Sequence, residues 1–387
     1  MGASTTVVAS LRVLSFLFPI LAQAAVLKLE EGSAVTQMTR KKLCEPVAHC
    51  ILKLDQGKEC ELLPVPERSR LPLLPTGSNF TLTRLRSNIW SFSDGVYISL
   101  IIVQRRAERL TLIDVPESSG LLLKTALEEL LKGTKPKRID IIYSHGHYDH
   151  IGGGMDFYQY AKEKYPGAET VIWGTAETRR FIEVSKSKRA PLPDVIIGKE
   201  GAVLELRPRL HLHMTIVGGH MSEDLLVFIP RDGEQKAIAM LVDIIFPHWS
   251  PWPNLALTAD TRSYLQAHHN LLKYDFDIFV GGHLRLGSKD DVRDNLRWLE
   301  DLLETGAASL AESTSEEFAA AGFGRLFDPS ALESGNIWWA FVDVVQKTRV
   351  DKCYRTMLEK WGCEIGGLDV TLRSHCFLAV EFALLDS

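Results

Sequence analysis

The stretch Ile139–Phe157, "IDIIYSHGHYDHIGGGMDF", places three histidines and an aspartate within six positions. An apolar run precedes them and three glycines follow. A strand that ends at Ser144 would carry this loop to the edge of a sheet, where His145 and His147 can point to one side. Imidazoles and a carboxylate suit a borderline-soft divalent cation such as zinc. The stretch therefore predicts a metal-binding loop that lacks some of its ligands, with a hydrogen-bonded polar turn as the alternative.

Three later positions offer the missing ligands. His220 ends the run "TIVGGH", Asp243 lies within "AMLVDIIF", and His283 ends "DIFVGGH". Each follows an apolar strand, so we expect all three side chains at the same edge as the histidine loop. His211 and His213 lie near His220 in the sequence, but we interpret them as strand side chains because His220 alone follows an apolar strand and a Gly-Gly pair.

Together these residues resemble the metallo-β-lactamase superfamily, the αββα sandwich of metallohydrolases. The family's H-x-H-x-D-H signature matches His145, His147, Asp149 and His150. The resemblance covers roughly Phe80 to Glu300. It implies a site for two metal ions, in which one ion is held by His145, His147 and His220, the other by Asp149, His150 and His283, and both by Asp243. It also implies that Asp114 steadies the histidine loop; a simple strand-end cap is the alternative for that residue.

The resemblance implies hydrolysis by a metal-bridging hydroxide. Two divalent ions about 3.5–4 Å apart lower the pKa of a shared water toward neutrality, and Asp149 is the expected catalytic residue that orients the nucleophile or passes its proton on. Zinc is the expected metal, with iron or manganese as alternatives.

The ligand set also narrows the substrate class. A complete set with Asp243 as bridging carboxylate is similar to glyoxalase II, lactonases and ribonuclease Z, whereas true β-lactamases usually lack that aspartate. A net charge of −5 gives no attraction to nucleic acid. We therefore expect a small ester, thioester or lactone as substrate. The alternatives are β-lactamase-like or phosphodiester hydrolysis, a mono-iron oxidoreductase, and a metal-stabilised binding protein without activity.

The amino-terminal residues predict export. Residues 1–24 have the pattern of a signal peptide, with a short apolar core at Val13–Leu21 and small residues at Ala22 and Ala24. An uncleaved tail is the alternative. The six cysteines lie in the two ends of the chain, and an even number behind a signal peptide predicts disulfides in an oxidising compartment. We expect a secreted or extracytoplasmic protein without stable membrane insertion. Oligomeric state and disulfide pairing stay open.

The predicted fold class is α/β (α+β), an αββα metallo-β-lactamase sandwich with two additions. After the signal peptide, residues 25–79 form an N-terminal arm with cysteines; residues 80–300 form the catalytic domain, and residues 301–387 a C-terminal helical extension. The prolines of the arm predict an extended chain without a regular helix. His248, in "FPHWSPWPN", is interpreted as part of a packed loop, with substrate contact as the alternative.

Overall fold

Two β-sheets form the centre of the molecule, as seen in a computed structural model that describes residues 43–207, 210–333 and 335–385. The predicted signal peptide, residues 1–24, lies outside the described residues. The first sheet has seven strands in sequential order, β1 to β7. They are Thr81–Arg86, Ile89–Ser93, Ile98–Gln104, Arg109–Ile113, Arg138–Ile142, Glu169–Thr175 and Val195–Ile197.

The second sheet has six strands in the order β13-β12-β11-β10-β9-β8. In chain order, β8 to β13 are Ala202–Arg207, Leu210–Ile216, Leu225–Ile229, Ile238–Met240, Ile278–Val280 and Leu286–Gly287. Both sheets contain antiparallel and parallel pairs: β4, β5, β6 and β7 run parallel, as do β11 and β12. Parallel neighbours deliver their following loops to one edge of a sheet, which is where the predicted ligands lie.

Helices connect and cover these strands. In the first half of the chain they are Glu45–Asp55, Gly120–Leu131, Tyr148–Ile151, Gly154–Lys164 and Ala176–Ser185; in the second half they are Thr261–Leu272, Lys289–Glu312, Ser315–Ala320, Pro329–Glu333, Ile337–Trp361 and Leu368–Leu385. Helix Lys289–Glu312 begins with a capping box, in which the Ser288 hydroxyl and the Asp291 carboxylate each bond the backbone N–H of the other residue. No helix among the described residues combines the length and the apolar character that a membrane span requires.

Three apolar cores separate the layers. Strand β3 is buried along its whole length, and its alternate residues serve two cores: Leu100 and Ile102 face the second sheet, while Ile101 and Val103 face the helices outside the first sheet. A third core lies between the second sheet and the helices on its far side, with Trp298 and Met357 among its members. Helix, sheet, sheet and helix are thus stacked in that order, and the predicted αββα sandwich is confirmed.

The prediction of an arm without regular helix is wrong for Glu45–Asp55. Pro46 occupies the first turn of this helix, where a missing N–H costs no hydrogen bond, and the next proline is Pro64. Val47 and Cys50 are buried in the same core as the C-terminal helices. A helix therefore forms between the prolines, since it has an apolar face to bury.

Disulfides attach this first helix to the rest of the chain. Cys44 pairs with Cys363 across 319 residues, while Cys50 pairs with Cys60. The third disulfide, Cys353–Cys376, joins the last two long helices. All six cysteines are thus paired, as the even count predicts.

Candidate metal centre

All seven predicted metal ligands meet at one edge of the sandwich. The ligand atoms of His145, His147, His220 and Asp243 lie within 4.8 Å of one another, and so do those of Asp149, His150, Asp243 and His283. Asp243 belongs to both groups. The grouping is the same as the one that the resemblance implies.

Both sheets contribute to this cluster. Strand β5 of the first sheet ends at Ile142, and His147 directly precedes the single helical turn Tyr148–Ile151, which carries Asp149 and His150. The other three residues follow strands of the second sheet: His220 comes after β9, Asp243 after β11 and His283 after β12. Each of the three lies three or four residues beyond the end of its strand. The apolar runs in the sequence therefore continue past the ends of the strands.

The glycines beside the histidine loop provide space. Gly152 and Gly153 have ordinary negative φ values of −69° and −84°, so neither requires the left-handed backbone that favours glycine. A Cβ atom on Gly153 would instead lie 2.6 Å from the Pro116 carbonyl oxygen, and one on Gly146 would lie 3.0 Å from Phe181. Glycine is needed at these two positions because Pro116 and Phe181 pack directly against the loop and leave no room for a Cβ atom.

Ring nitrogens face one another inside the cluster. His220 Nε2 lies 2.8 Å from His147 Nδ1, and His150 Nε2 lies 3.0 Å from His283 Nε2. Asp243 is close to both pairs, with Oδ1 2.9 Å from His283 Nε2 and Oδ2 3.2 Å from His150 Nε2. Lone pairs of several imidazoles thus converge on the two sides of one carboxylate.

The donor set fits divalent metal ions. His145 Nε2 is buried and makes no hydrogen bond within the described chain, whereas Nδ1 of the same ring lies 3.0 Å from the Ser144 hydroxyl oxygen. An unpartnered buried nitrogen is unfavourable unless another group occupies its lone pair. Three imidazoles with a carboxylate match the ligands that zinc takes in proteins.

Burial and charge set the protonation of these groups. Burial lowers the pKa of His145 well below its ordinary value and also lowers the pKa of His220, which leaves both rings neutral, as metal ligands must be. Although burial opposes its charge, Asp243 keeps a pKa well below the usual range through the charge of His150 and hydrogen bonds from His150 and His283. Against the effect of burial, the same carboxylate raises the pKa of His150 to about 9, so a metal ion bound at His150 would replace a proton.

Asp114 supports the histidine loop from beneath. It directly follows strand β4 and is completely buried. Its Oδ1 accepts a hydrogen bond from the Ser144 N–H at 2.8 Å, and its Oδ2 lies 3.8 Å from His150 Nδ1. The two interpretations of Asp114 are therefore not exclusive, since the backbone that it caps belongs to the histidine loop.

A second buried carboxylate, Asp224, fixes the turn that carries His220. Its Oδ2 accepts hydrogen bonds from the N–H groups of His220 and Met221 at 2.7 and 2.8 Å. Burial raises the pKa of Asp224 well above its ordinary value. Asp224 was not predicted from the sequence; its position four residues after His220 of the Gly-Gly-His turn was the available signal.

Two aromatic rings cover His283. The Tyr97 ring centroid lies 4.8 Å from that of His283, and the Phe246 ring stacks on it at 5.6 Å. Neither residue was predicted from the sequence. Both rings pack against this side of the cluster.

The remaining histidines lie outside the cluster. His248 Nε2 is 2.7 Å from Asp291 Oδ1 and the ring is largely covered, which agrees with a packed loop. His211 and His213 are side chains of strand β9. His268 and His375 are completely buried and hydrogen-bonded.

Residues 94–233 match a family model described as the metallo-beta-lactamase superfamily. This part of the chain is therefore similar to the metallo-beta-lactamase superfamily. The matched residues include His145, His147, Asp149, His150 and His220. Asp243 and His283 lie beyond the matched residues, but their ligand atoms belong to the two groups of the cluster.

Solved structures of metallo-beta-lactamases are similar to the chain at low identity. One from Pontibacter korlensis has 21% identity and a TM-score of 0.45, covering 57% of this chain and 99% of its own. One from Hirschia baltica has 17% identity and a TM-score of 0.43, covering 57% and 97%. One from Cronobacter sakazakii has 14% identity and a TM-score of 0.46, covering 60% and 96%. No match was found among curated proteins.

Proposed function

We propose that the protein is a hydrolase that depends on two divalent metal ions, with zinc as the expected metal, and acts on a small ester, thioester or lactone. The observation that supports this proposal is the pair of ligand groups that share Asp243. In this proposal His145, His147 and His220 bind the first ion, and Asp149, His150 and His283 bind the second. When bound, such ions lower the pKa of water and polarise the bond to be cleaved.

Side chains of the protein would then accept and release protons and orient the metal ligands. The Asp149 side chain is 43% exposed, whereas Asp243 is almost buried. Asp149 is therefore the carboxylate that substrate and water can reach, and it can accept a proton from the attacking water and release it to solvent. Tyr97 and Phe246 pack against the His283 ring and restrict its orientation.

A thiol nucleophile is excluded for this chain. All six cysteines are paired in disulfides. The thiolate that cysteine hydrolases use as nucleophile is therefore not present. This supports attack by water, which is the reaction that the two ligand groups favour.

The disulfides also support an extracytoplasmic location. Disulfides persist in oxidising compartments and are rare in the cytosol of most organisms. We therefore include secretion in the proposal. The proposal also includes a small-molecule substrate, and it includes no nucleic-acid partner because the net charge of the chain is −5.

The proposed function is tested on the purified protein with metal quantification and a hydrolysis panel of lactones, thioesters, carboxylate esters, phosphodiesters, sulfate esters and β-lactams. We expect about two divalent ions per chain and turnover of at least one lactone, thioester or ester that chelation abolishes. About one iron per chain without hydrolysis would instead indicate an oxidoreductase. Metal without turnover of any substrate would indicate a binding protein.

A further inference from the structure

The segment Asn254–Leu257 adopts a left-handed backbone at four consecutive residues that are not glycine. Their φ values are 58°, 49°, 56° and 63°. L-residues rarely enter this region, and a run of four is unfavourable at every position. Such a conformation persists only where surrounding groups determine it, and it is concentrated at functional sites.

Helix Leu368–Leu385 holds this left-handed turn. The Leu255 N–H donates to His375 Nδ1 at 3.0 Å, and the Asn254 N–H donates to the Ser374 hydroxyl oxygen at 2.9 Å. His375 Nε2 lies 3.2 Å from the hydroxyl of Ser250, on the chain that leads into the turn. Because Nδ1 accepts from Leu255, the ring is neutral and carries its proton on Nε2.

On its other side the turn contacts the backbone next to His220. The Thr258 hydroxyl donates to the Gly219 carbonyl at 2.5 Å. His220 directly follows Gly219, so this bond ties the end of the turn to the backbone of the proposed ligand. Groups that hold metal ligands in place from outside the coordination sphere affect metal affinity, so the backbone beside His220 is a place where such support matters.

We propose that His375 is a positioning residue for the metal centre: through the left-handed turn Asn254–Leu257 and Thr258 it fixes the backbone that carries His220. This inference rests on the proposed role of His220 as a metal ligand. It gives the C-terminal extension a part in the site, since His375 lies in the last helix and 155 positions after His220 in the sequence.

Two substitutions at His375 test the link. His375→Leu removes the acceptor for the Leu255 N–H, whereas His375→Asn retains a side-chain acceptor near the position of Nδ1. Met357→Ala is the control, because Met357 is completely buried in the core that also contains Leu255; its truncation weakens that core but leaves the hydrogen bonds of His375 in place. Each variant is measured for hydrogen exchange of the amides of residues 217–221 in metal-free protein. Zinc affinity by chelator competition and the absorption spectrum with cobalt(II) follow.

We expect His375→Leu to speed exchange at residues 217–221, to change the cobalt spectrum, and to weaken zinc binding by about 10–100-fold, the range found for residues that support metal ligands. His375→Asn should restore most of the affinity, and Met357→Ala should leave the spectrum unchanged. Unaltered exchange in His375→Leu, or altered exchange with unaltered affinity and spectrum, would overturn the inference. A wild-type protein that binds no divalent ion would reject the proposed function, while the exchange measurement would still decide whether His375 controls the His220 backbone.

Discussion

Asp243 Oδ2 lies 3.2 Å from His150 Nε2, and this contact joins the two sheets of the sandwich. His150 follows strand β5 of the first sheet, and Asp243 follows strand β11 of the second. A carboxylate at this junction can serve both ligand groups only while it is ionised and correctly placed. The proposed metal centre therefore depends on the packing of the two sheets, because each sheet supplies one of these two residues.

Asp243→Asn is expected to reduce turnover of any substrate found in the panel by at least about 100-fold, beyond the 10–100-fold typical of residues that only support ligands. The amide keeps the shape of the side chain but removes the charge that the two groups share. Steady-state kinetics check this result. Asp301→Asn is the control, since that carboxylate accepts from Trp361 Nε1 at 2.9 Å, away from the cluster. Equal activities of both variants would show that Asp243 is not a shared ligand.

His220→Ala should lose one ligand of the first ion, whereas His213→Ala should bind metal as the wild type does. Both residues are histidines of the same stretch, but His213 is a side chain of strand β9 and His220 faces His147 at 2.8 Å. Metal content after dialysis, with circular dichroism to check folding, separates the two. If His213→Ala rather than His220→Ala loses metal, the third histidine ligand has been assigned to the wrong residue.

The three disulfides should differ in their effect on stability. A disulfide stabilises a protein more when it closes a longer loop of the unfolded chain. Replacing Cys44 and Cys363 by serine, a pair 319 residues apart, should cost about 2–5 kcal/mol. The same change at Cys50 and Cys60, 10 residues apart, should cost less. Urea unfolding of both double variants measures the difference, and a larger loss for the short loop would contradict the expectation.

The buried His375 predicts a pH dependence of stability. Burial lowers its pKa from the ordinary value of 6.5 to about 3 in the folded chain. The unfolded chain therefore binds a proton below pH 6.5 that the folded chain excludes. The stabilisation is complete above pH 6.5 and decreases as the pH falls toward 3; at pH 5 the loss is about 2 kcal/mol.

Urea unfolding of metal-free wild type and His375→Asn at pH 7.5 and pH 5 isolates this contribution. The wild type should lose about 2 kcal/mol more than the variant between the two pH values. Chelation removes the effect of protons that compete with metal at the cluster. Equal losses in both proteins would show that His375 is not held neutral by burial.

The sequence was most informative where the chemistry is concentrated. His145 to His150 form one contiguous loop, and His220, Asp243 and His283 each follow an apolar strand, so parallel strand ends were sufficient to predict that they converge. Strand boundaries were less well predicted. The apolar run continues past Met240 because the following loop is also buried, not because the strand extends to Asp243.

Other features depend on contacts between distant parts of the chain. His375 meets Leu255 across 120 residues, and Thr258 meets Gly219 across 39. No periodicity or short motif predicts a left-handed turn that a remote helix stabilises. The helix Glu45–Asp55 was missed for a related reason: its apolar face is buried against C-terminal helices, and its one proline, Pro46, is compatible with a helix only because it lies in the first turn.

The most direct test of the metal centre is the metal content of the purified wild type, His147→Ala, His283→Ala and Asp243→Ala after dialysis. We predict about two ions per chain for the wild type. His147→Ala and His283→Ala should each retain the ion of the unaltered group, about one per chain, and Asp243→Ala should retain fewer than either. A wild-type protein without divalent ions, or ligand variants with the same metal content as the wild type, would contradict a two-metal site centred on Asp243.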